Sequence, residues 1–202
     1  MLQRFAKKIG LVYFGGVDQH HDDHDVIRGL TVSTSHQDTH YAVGTYDGYD
    51  VSMVDRFDVV SSRDGKKTEN TWLIMRIDLE TQQTLPHLFL RPLGHTPDAY
   101  NKFFDAFHHL QPVNAMMLGG HTPEFHGRYE IYTMASRALE IEEYFTAEVT
   151  QIIGTRFWPH AIELLDNKLY IYTTNPTLTD SLLNTALESG LWLARILDKQ
   201  QD

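Results

Sequence analysis

The chain has 202 residues, enough for one sizeable hydrophobic core, and we expect a single domain over residues 1–202. Its 17 basic and 27 acidic residues give a net charge of −10, which argues against nucleic-acid binding and against docking on an anionic membrane. The absence of cysteine excludes disulfides, thiolate metal sites and a cysteine nucleophile, and no apolar run is long enough to cross a bilayer. We therefore expect a cytoplasmic protein.

The first forty residues predict small elements around a polar stretch. Helical spacing of apolar residues predicts a short helix over residues 2–8, and an apolar run predicts a strand over residues 11–14. Residues 18–25, DQHHDDHD, contain no apolar side chain and predict an exposed loop. Apolar alternation returns over residues 26–35.

Residues 41–60 predict a β-hairpin around which the other strands are arranged. Asp47-Gly48 favours a two-residue type I′ turn, because both residue types tolerate positive φ. This turn predicts three cross-strand pairs: Tyr46 with Tyr49, Gly44 with Val51, and Ala42 with Met53. Four polar side chains alternate onto the other face, which we expect to contact water: Asp50, Ser52, Arg56 and Asp58.

The middle of the chain predicts two further strands and a helix. After a polar loop over residues 61–70, strands are predicted over residues 71–79 and 85–92. Pro86 and Pro92 bracket the second of these, which is typical of an edge strand or of a strand end. Thr96-Pro97-Asp98 predicts the start of a helix over residues 96–110, with an aromatic stripe facing the sheet.

The last part of the chain predicts mostly helices. A loop over residues 111–120 precedes a strand over 127–133, a helix over 136–153, a hairpin over 160–172 that turns near Asp166-Asn167, and a helix over 179–199. Strands that come early as hairpins, with helices later, indicate the α+β class. We expect an antiparallel sheet built from hairpins with helices packed on one face.

Four motifs follow one another along the chain. They are Gly44-x-Tyr46-x-Gly48-x-x-Val51-x-x-x-Asp55, then Leu85-Pro86-x-x-x-Leu90-x-Pro92, then Pro123-Glu124-Phe125-x-x-x-Tyr129-x-Ile131, and Ile162-Glu163 with Leu169. In this order the chain resembles an uncharacterised bacterial family of domains of unknown function. Tyr49, Val54 and Arg56 depart from that family's pattern. The resemblance implies no established activity and no known catalytic residues. Because relatives are often tethered behind membrane-spanning helices, it also implies a place at the inner membrane face through a partner or an anchor.

Histidines at intervals of four predict a metal site as one interpretation of this region. The candidate ligands are His20, His24, His36 and His40, with aspartates interleaved in the first pair. Imidazole and carboxylate suit zinc or a similar divalent ion, which needs three or four such ligands. This spacing brings ligands together only on a helix, and residues 18–25 have no apolar face to hold one against a core. A solvated polar loop is the alternative.

Other chemistry has little support in the sequence. There is no nucleophile elbow, zinc-protease motif, phosphate loop or dinucleotide fingerprint, so we predict no catalytic residue and no cofactor apart from the alternative zinc. Tyr46 and Tyr49 flank an exposed turn, where aromatic side chains commonly serve recognition, and we predict that they bind a partner.

Two functions from different classes follow. The leading interpretation is a non-catalytic domain that binds a protein or a small ligand. The alternative is a divalent-metal-dependent enzyme that uses the His/Asp cluster at residues 18–40. The partner and the oligomeric state are left open by the sequence.

Overall fold

The structure is a computed structural model, and it describes residues 1–16, 35–61, 65–95, 97–113, 122–174 and 177–199. The strands in these ranges are β1 Val12–Gly16, β2 Ser35–Tyr46, β3 Tyr49–Ser61, β4 Lys67–Asp78, β5 Leu88–Pro92, β6 Gln111–Val113, β7 Tyr129–Thr133, β8 Ala161–Leu165 and β9 Lys168–Thr174. The helices are α1 Leu2–Ile9, α2 Pro97–Ala106, α3 Pro123–His126, α4 Glu140–Tyr144, α5 Ala147–Ile152 and α6 Asp180–Lys199. The strands form one antiparallel sheet in the order β1-β2-β3-β4-β9-β8-β5-β7-β6. The α+β class and the antiparallel sheet are thus confirmed.

Both predicted hairpins are present, and the first has the predicted register. Asp47 and Gly48 have φ of 52° and 87°, as a type I′ turn requires, and all three predicted cross-strand pairs of β2 and β3 are observed. Asp166 and Asn167 turn β8 into β9 with φ of 51° and 56°. The turn residues therefore set the register of both strand pairs.

Strand β5 lies in the interior of the sheet, between β8 and β7. Its prediction as an edge strand is wrong, whereas its prediction as a strand end is correct for Pro92, the last residue of β5. A proline at that position does not interrupt the ladder, so it carries no information about which strands flank β5. The neighbours of β5 are decided by pairing with strands that are distant in sequence, and the residues of β5 itself do not indicate them.

The first face of the sheet carries the larger, mainly aliphatic core. Leu73, Met75 and Ile77 of β4 alternate onto it and are buried against residues of α1 and of α3 to α6. Helix α6 approaches closely because residue 190 is glycine: a Cβ there would lie 2.8 Å from Cδ1 of Ile171 and 2.8 Å from Cδ1 of Ile77. The helices on this face thus match the prediction of helices packed on one side.

Helix α2 is the exception, because it packs on the second face. Trp72 and Ile74 of β4 alternate onto that face and form a buried cluster with residues of α2. The ring centroid of Phe89 in β5 lies 4.6 Å from that of Phe103 and 5.7 Å from that of Tyr100. The predicted aromatic stripe does contact the sheet, on the side opposite to the other described helices.

The second face is not the wet surface that the polar alternation of β3 suggested. Ser52, Arg56 and Asp58 are buried there, and only Asp50 of the predicted set is exposed. That expectation was wrong because alternation shows which residues share a face but not whether another layer covers the face. The aromatic cluster with α2 covers part of this face.

Two other predictions need correction. The single helix expected over residues 136–153 is a 3₁₀ turn at Ala135–Arg137 followed by α4 and α5, since Phe145 leaves helical geometry at φ −109° and ψ 67°. The hydroxyl of Thr146 accepts a hydrogen bond from the backbone N–H of Val149 and starts α5. The loop predicted from residue 111 begins instead with the short strand β6.

None of the helices in the described ranges has the length and apolar character needed to cross a membrane.

Candidate functional site

A cavity of about 290 Å³ opens where the start of α1 meets the β2–β4 strands and the segment before α6. Its apolar wall consists of Met1, Leu2 and Leu178. Its polar wall consists of His40, Asp55, Thr71 and Thr177. We call this the His40–Asp55 cavity. A mostly concave site that mixes apolar walls with a few polar groups has the usual character of a small-molecule site, although this one is at the small end of the range.

A β-bulge places His40 in the wall. The register of β2 against β3 shifts between Thr39 and Ala42, so β2 contains one extra residue there. His40 has φ of 55°, a left-handed conformation that few non-glycine residues adopt, and its Nδ1 lies 2.5 Å from the hydroxyl of Tyr13 on β1. Bulges commonly re-aim a side chain in this way. The ring is therefore fixed at one nitrogen by the neighbouring strand.

Among the described lining residues, Asp55 contributes the one carboxylate. Its backbone pairs with Thr39 on β2 and with Leu73 on β4, so two strands hold it in place. Burial raises the pKa of the Asp55 carboxyl above its ordinary value, while the positive charge of His40 and of the Met1 amino group acts in the opposite direction. Among the residues that the structure describes, none donates a hydrogen bond to this carboxylate or forms an ion pair with it.

Two of the four predicted zinc ligands, His36 and His40, belong to the part of the chain that the structure describes. His20 and His24 lie outside the described residues, and His36 pairs through its backbone with Asp58. His40 is found in the cavity wall. Within the described ranges, no group of three or more histidine, aspartate or glutamate side chains is arranged to hold a metal ion. The zinc site stays a prediction.

The two tyrosines at the hairpin tip contact the rest of the fold. Tyr49 is buried and its hydroxyl donates a 2.8 Å hydrogen bond to Oδ2 of Asp198, near the end of α6. Burial and the Asp198 carboxylate raise the pKa of the Tyr49 phenol far above its usual range. Tyr46 is partly buried against the first-face core, and Asp47 pairs with Arg195 of α6. The tip is thus attached to α6, and partner binding by Tyr46 and Tyr49 stays a prediction.

On the second face, a buried ion pair joins β2 to β3. The guanidinium of Arg56 donates two hydrogen bonds to the carboxylate of Asp38, from Nε at 2.6 Å and from Nη2 at 2.7 Å. Both side chains are almost completely buried. Burial by itself would lower the pKa of Arg56, but the hydrogen bonds and charge of Asp38 outweigh it and the pKa is raised. The carboxylate of Asp38 therefore has its partner inside the fold.

A second buried carboxylate on this face also finds its partners within the chain. Glu163 on β8 accepts a hydrogen bond from Nε2 of His87 at 2.7 Å and from the hydroxyl of Tyr172 at 2.5 Å. Nδ1 of His87 lies 2.9 Å from Nε2 of His109, which is exposed. Burial, and secondly the charge of His87, lower the pKa of His109. We call Tyr172, Glu163, His87 and His109 the histidine chain.

Sequence reasoning missed most of these groups because their members come from distant segments. The cavity combines residues near positions 1, 40, 55, 71 and 177, and of these only His40 had been singled out for chemistry. Glu163 and His87 are 76 positions apart. A local signal existed only for the bulge region, where His36 and His40 lie four residues apart within β2.

Comparison with known proteins identifies the fold. No protein-family model matches the chain, and no curated protein matches it in sequence. The structure is similar to the crystal structure of the mycobacterial trehalose monomycolate transport factor A, TtfA, with a TM-score of 0.59. The similarity covers 98% of this chain and 91% of that chain, at 12% sequence identity. At this identity the likeness shows a shared α+β fold.

Proposed function

We propose that this chain is a non-catalytic binding domain and that the His40–Asp55 cavity is where it holds a small organic ligand. The carrying observation is a cavity of about 290 Å³ that combines apolar side chains with a carboxylate for which the described residues offer no partner. A partly buried polar group without a partner loses free energy that a ligand can restore by hydrogen bonding.

The two other buried carboxylates discussed above, Asp38 and Glu163, have partners within the chain, which supports a structural role for them. Asp38 pairs with Arg56, and Glu163 is satisfied by His87 and Tyr172. Because these carboxylates already have partners, they have little to gain from a ligand. The solved structure with the same fold belongs to a protein named as a transport factor, and carrying a molecule requires binding it without altering it. A cytoplasmic location, as the composition suggests, is part of this proposal.

A neutral amphiphile tests whether the cavity binds ligands at all. We expect n-butanol to shift the backbone amide resonances of Thr71, Thr177 and Leu178 in a saturable manner, with half-saturation at roughly millimolar concentration, as befits five heavy atoms. Thr177→Phe, which fills the cavity, should abolish the shifts. Thr155→Phe, at an exposed position outside the cavity, is the matched control and should leave them unchanged. Shifts that persist in Thr177→Phe, or no saturable shifts in the wild-type chain, would contradict the proposal.

The metal-dependent enzyme is the second candidate, favoured by one observation. His40, one of the four predicted ligands, lines the same cavity as the carboxylate of Asp55. A divalent ion needs three or four ligands, and these two side chains supply only part of a site. Elemental analysis of the purified chain discriminates the candidates: stoichiometric zinc that is lost in His40→Ala supports the enzyme, and its absence supports the binding domain.

A further inference from the structure

The charges around the His40–Asp55 cavity indicate which ligand it prefers. Among the described residues that line the cavity, Asp55 is the one side chain that carries a full negative charge at neutral pH, and none is a lysine or an arginine. The remaining polar wall consists of two threonine hydroxyls and one imidazole. The Met1 amino group adds a positive charge to this wall and acts on Asp55 through space, without an ion pair. Burial outweighs that charge and the charge of His40, since the pKa of the Asp55 carboxyl is raised on balance.

The position of Asp55 makes this charge effective. The carboxylate lies on a central strand, and the aliphatic side chains of Leu2 and Leu178 lie in the same wall. Partial burial removes water from the carboxylate, which strengthens its attraction for a cation compared with a fully solvated acid. Among the described residues no side chain neutralises it by direct contact.

His40 is a poor substitute for such a cation. One of its ring nitrogens, Nδ1, already interacts with the Tyr13 hydroxyl, and the backbone at φ 55° holds the ring beside β1. Its imidazole acts on Asp55 through space and not through a direct hydrogen bond. The strong acceptor of the cavity is thus left for a group that enters from outside.

We propose, on the basis of the binding function above, that the His40–Asp55 cavity takes a small organic cation, a primary alkylammonium group with a short apolar chain. The ammonium group donates hydrogen bonds to the carboxylate of Asp55, and the alkyl chain lies against Leu2 and Leu178. A hydroxyl of Thr71 or Thr177 accepts a remaining ammonium hydrogen. An anionic ligand of the same size would be repelled by Asp55.

Three probes of matched length test this preference: n-butylammonium, n-butanol and butyrate, each titrated into the full chain by amide NMR at neutral pH. We expect n-butylammonium to bind about five- to tenfold more tightly than n-butanol, as a partly buried charged hydrogen bond provides. Butyrate should bind more weakly than n-butanol. Asp55→Asn should make n-butylammonium and n-butanol bind equally.

The control is Asp50→Asn, which removes an exposed carboxylate from the same strand outside the cavity and should preserve the preference. Equal binding of the three probes to the wild-type chain, or an unchanged preference in Asp55→Asn, would overturn the cation proposal and leave the binding function standing. Failure of all three probes to bind would overturn both. Retention of n-butanol binding by Asp55→Asn shows that the variant is folded.

Discussion

The second-face polar cluster and the His40–Asp55 cavity differ in whether the chain supplies the partners of its charges. On the second face, Arg56 holds Asp38 with two hydrogen bonds, and the histidine chain satisfies both oxygens of Glu163. In the cavity, Asp55 has no such partner among the described residues. A buried charge with a partner is part of the fold, whereas one without a partner is available to a ligand.

The largest expected effect comes from breaking the buried pair. Arg56→Met should lower the free energy of unfolding by about 3–5 kcal/mol, because it leaves Asp38 buried without a cation. Urea denaturation measures this. The matched control is Arg4→Met, which removes an exposed partner of Asp180 and should cost at most about 1 kcal/mol. A cost for Arg56→Met as small as that of the control would show that the second-face pair is not structural.

A buried histidine should make stability depend on pH. Burial, and secondly the charge of His95, lower the pKa of His160 to about 4. Above the ordinary pKa near 6.5 the folded and unfolded states are both neutral at this residue, and its contribution to stability is complete. As the pH falls from about 6.5 to 4 the unfolded chain takes up the proton first, so the free energy of unfolding should fall by roughly 3 kcal/mol.

Urea titrations between pH 7 and pH 4 test this dependence. His160→Gln should flatten the acid side of the profile, and His108→Gln, at an exposed position, should leave it as in the wild type. An unchanged acid slope in His160→Gln would assign the dependence to other groups, the histidine chain first among them.

Substitutions at the hairpin tip should have smaller effects on stability, and they distinguish a tyrosine with a structural role from one that binds a ligand. Tyr49→Phe removes the hydrogen bond to Asp198 and should cost about 1 kcal/mol of unfolding free energy. Tyr46→Phe is the control, and it should change stability by less than about 0.5 kcal/mol. Neither change should alter n-butanol binding. Loss of n-butanol binding in either variant would move the ligand site to the hairpin tip.

The smallest effect has the opposite sign. Asp55→Asn should raise the free energy of unfolding by up to about 1 kcal/mol, because burial disfavours the ionised carboxyl in the folded chain. Thermal denaturation at pH 7 measures the gain, with Asp50→Asn as the control that should show none. A clear loss of stability in Asp55→Asn would mean that its carboxylate has a partner within the chain.

Local features of the fold were predictable where one or two residues decide them. Asp47 and Gly48 set the register of β2 and β3, and the pattern of α6 matched its observed bounds within one residue at its start. The break between α4 and α5 was missed because apolar spacing continues through it, while Phe145 changes the backbone and Thr146 starts a new helix. Hydrophobic periodicity shows which face of a helix is buried, but it does not show where the helix is interrupted.

The candidate site could not be predicted because it depends on which faces are covered and which segments meet. Arg56 and Asp58 alternate as surface residues do, yet both are buried on the second face. His40 had been noted for metal binding together with His36, four positions away. The bulge after Thr39 adds one residue to β2 and brings His40 into the wall with Asp55. The cavity wall is therefore assembled by tertiary packing, which residue spacing along the chain does not show.

A crystal structure of the full chain soaked with n-butylammonium tests the central claim most directly. We expect density for the ligand in the His40–Asp55 cavity, with its nitrogen within hydrogen-bond distance of the Asp55 carboxylate and its chain beside Leu178. Ligand density elsewhere on the molecule, or a cavity that holds the probe with its nitrogen turned away from Asp55, would contradict the assignment.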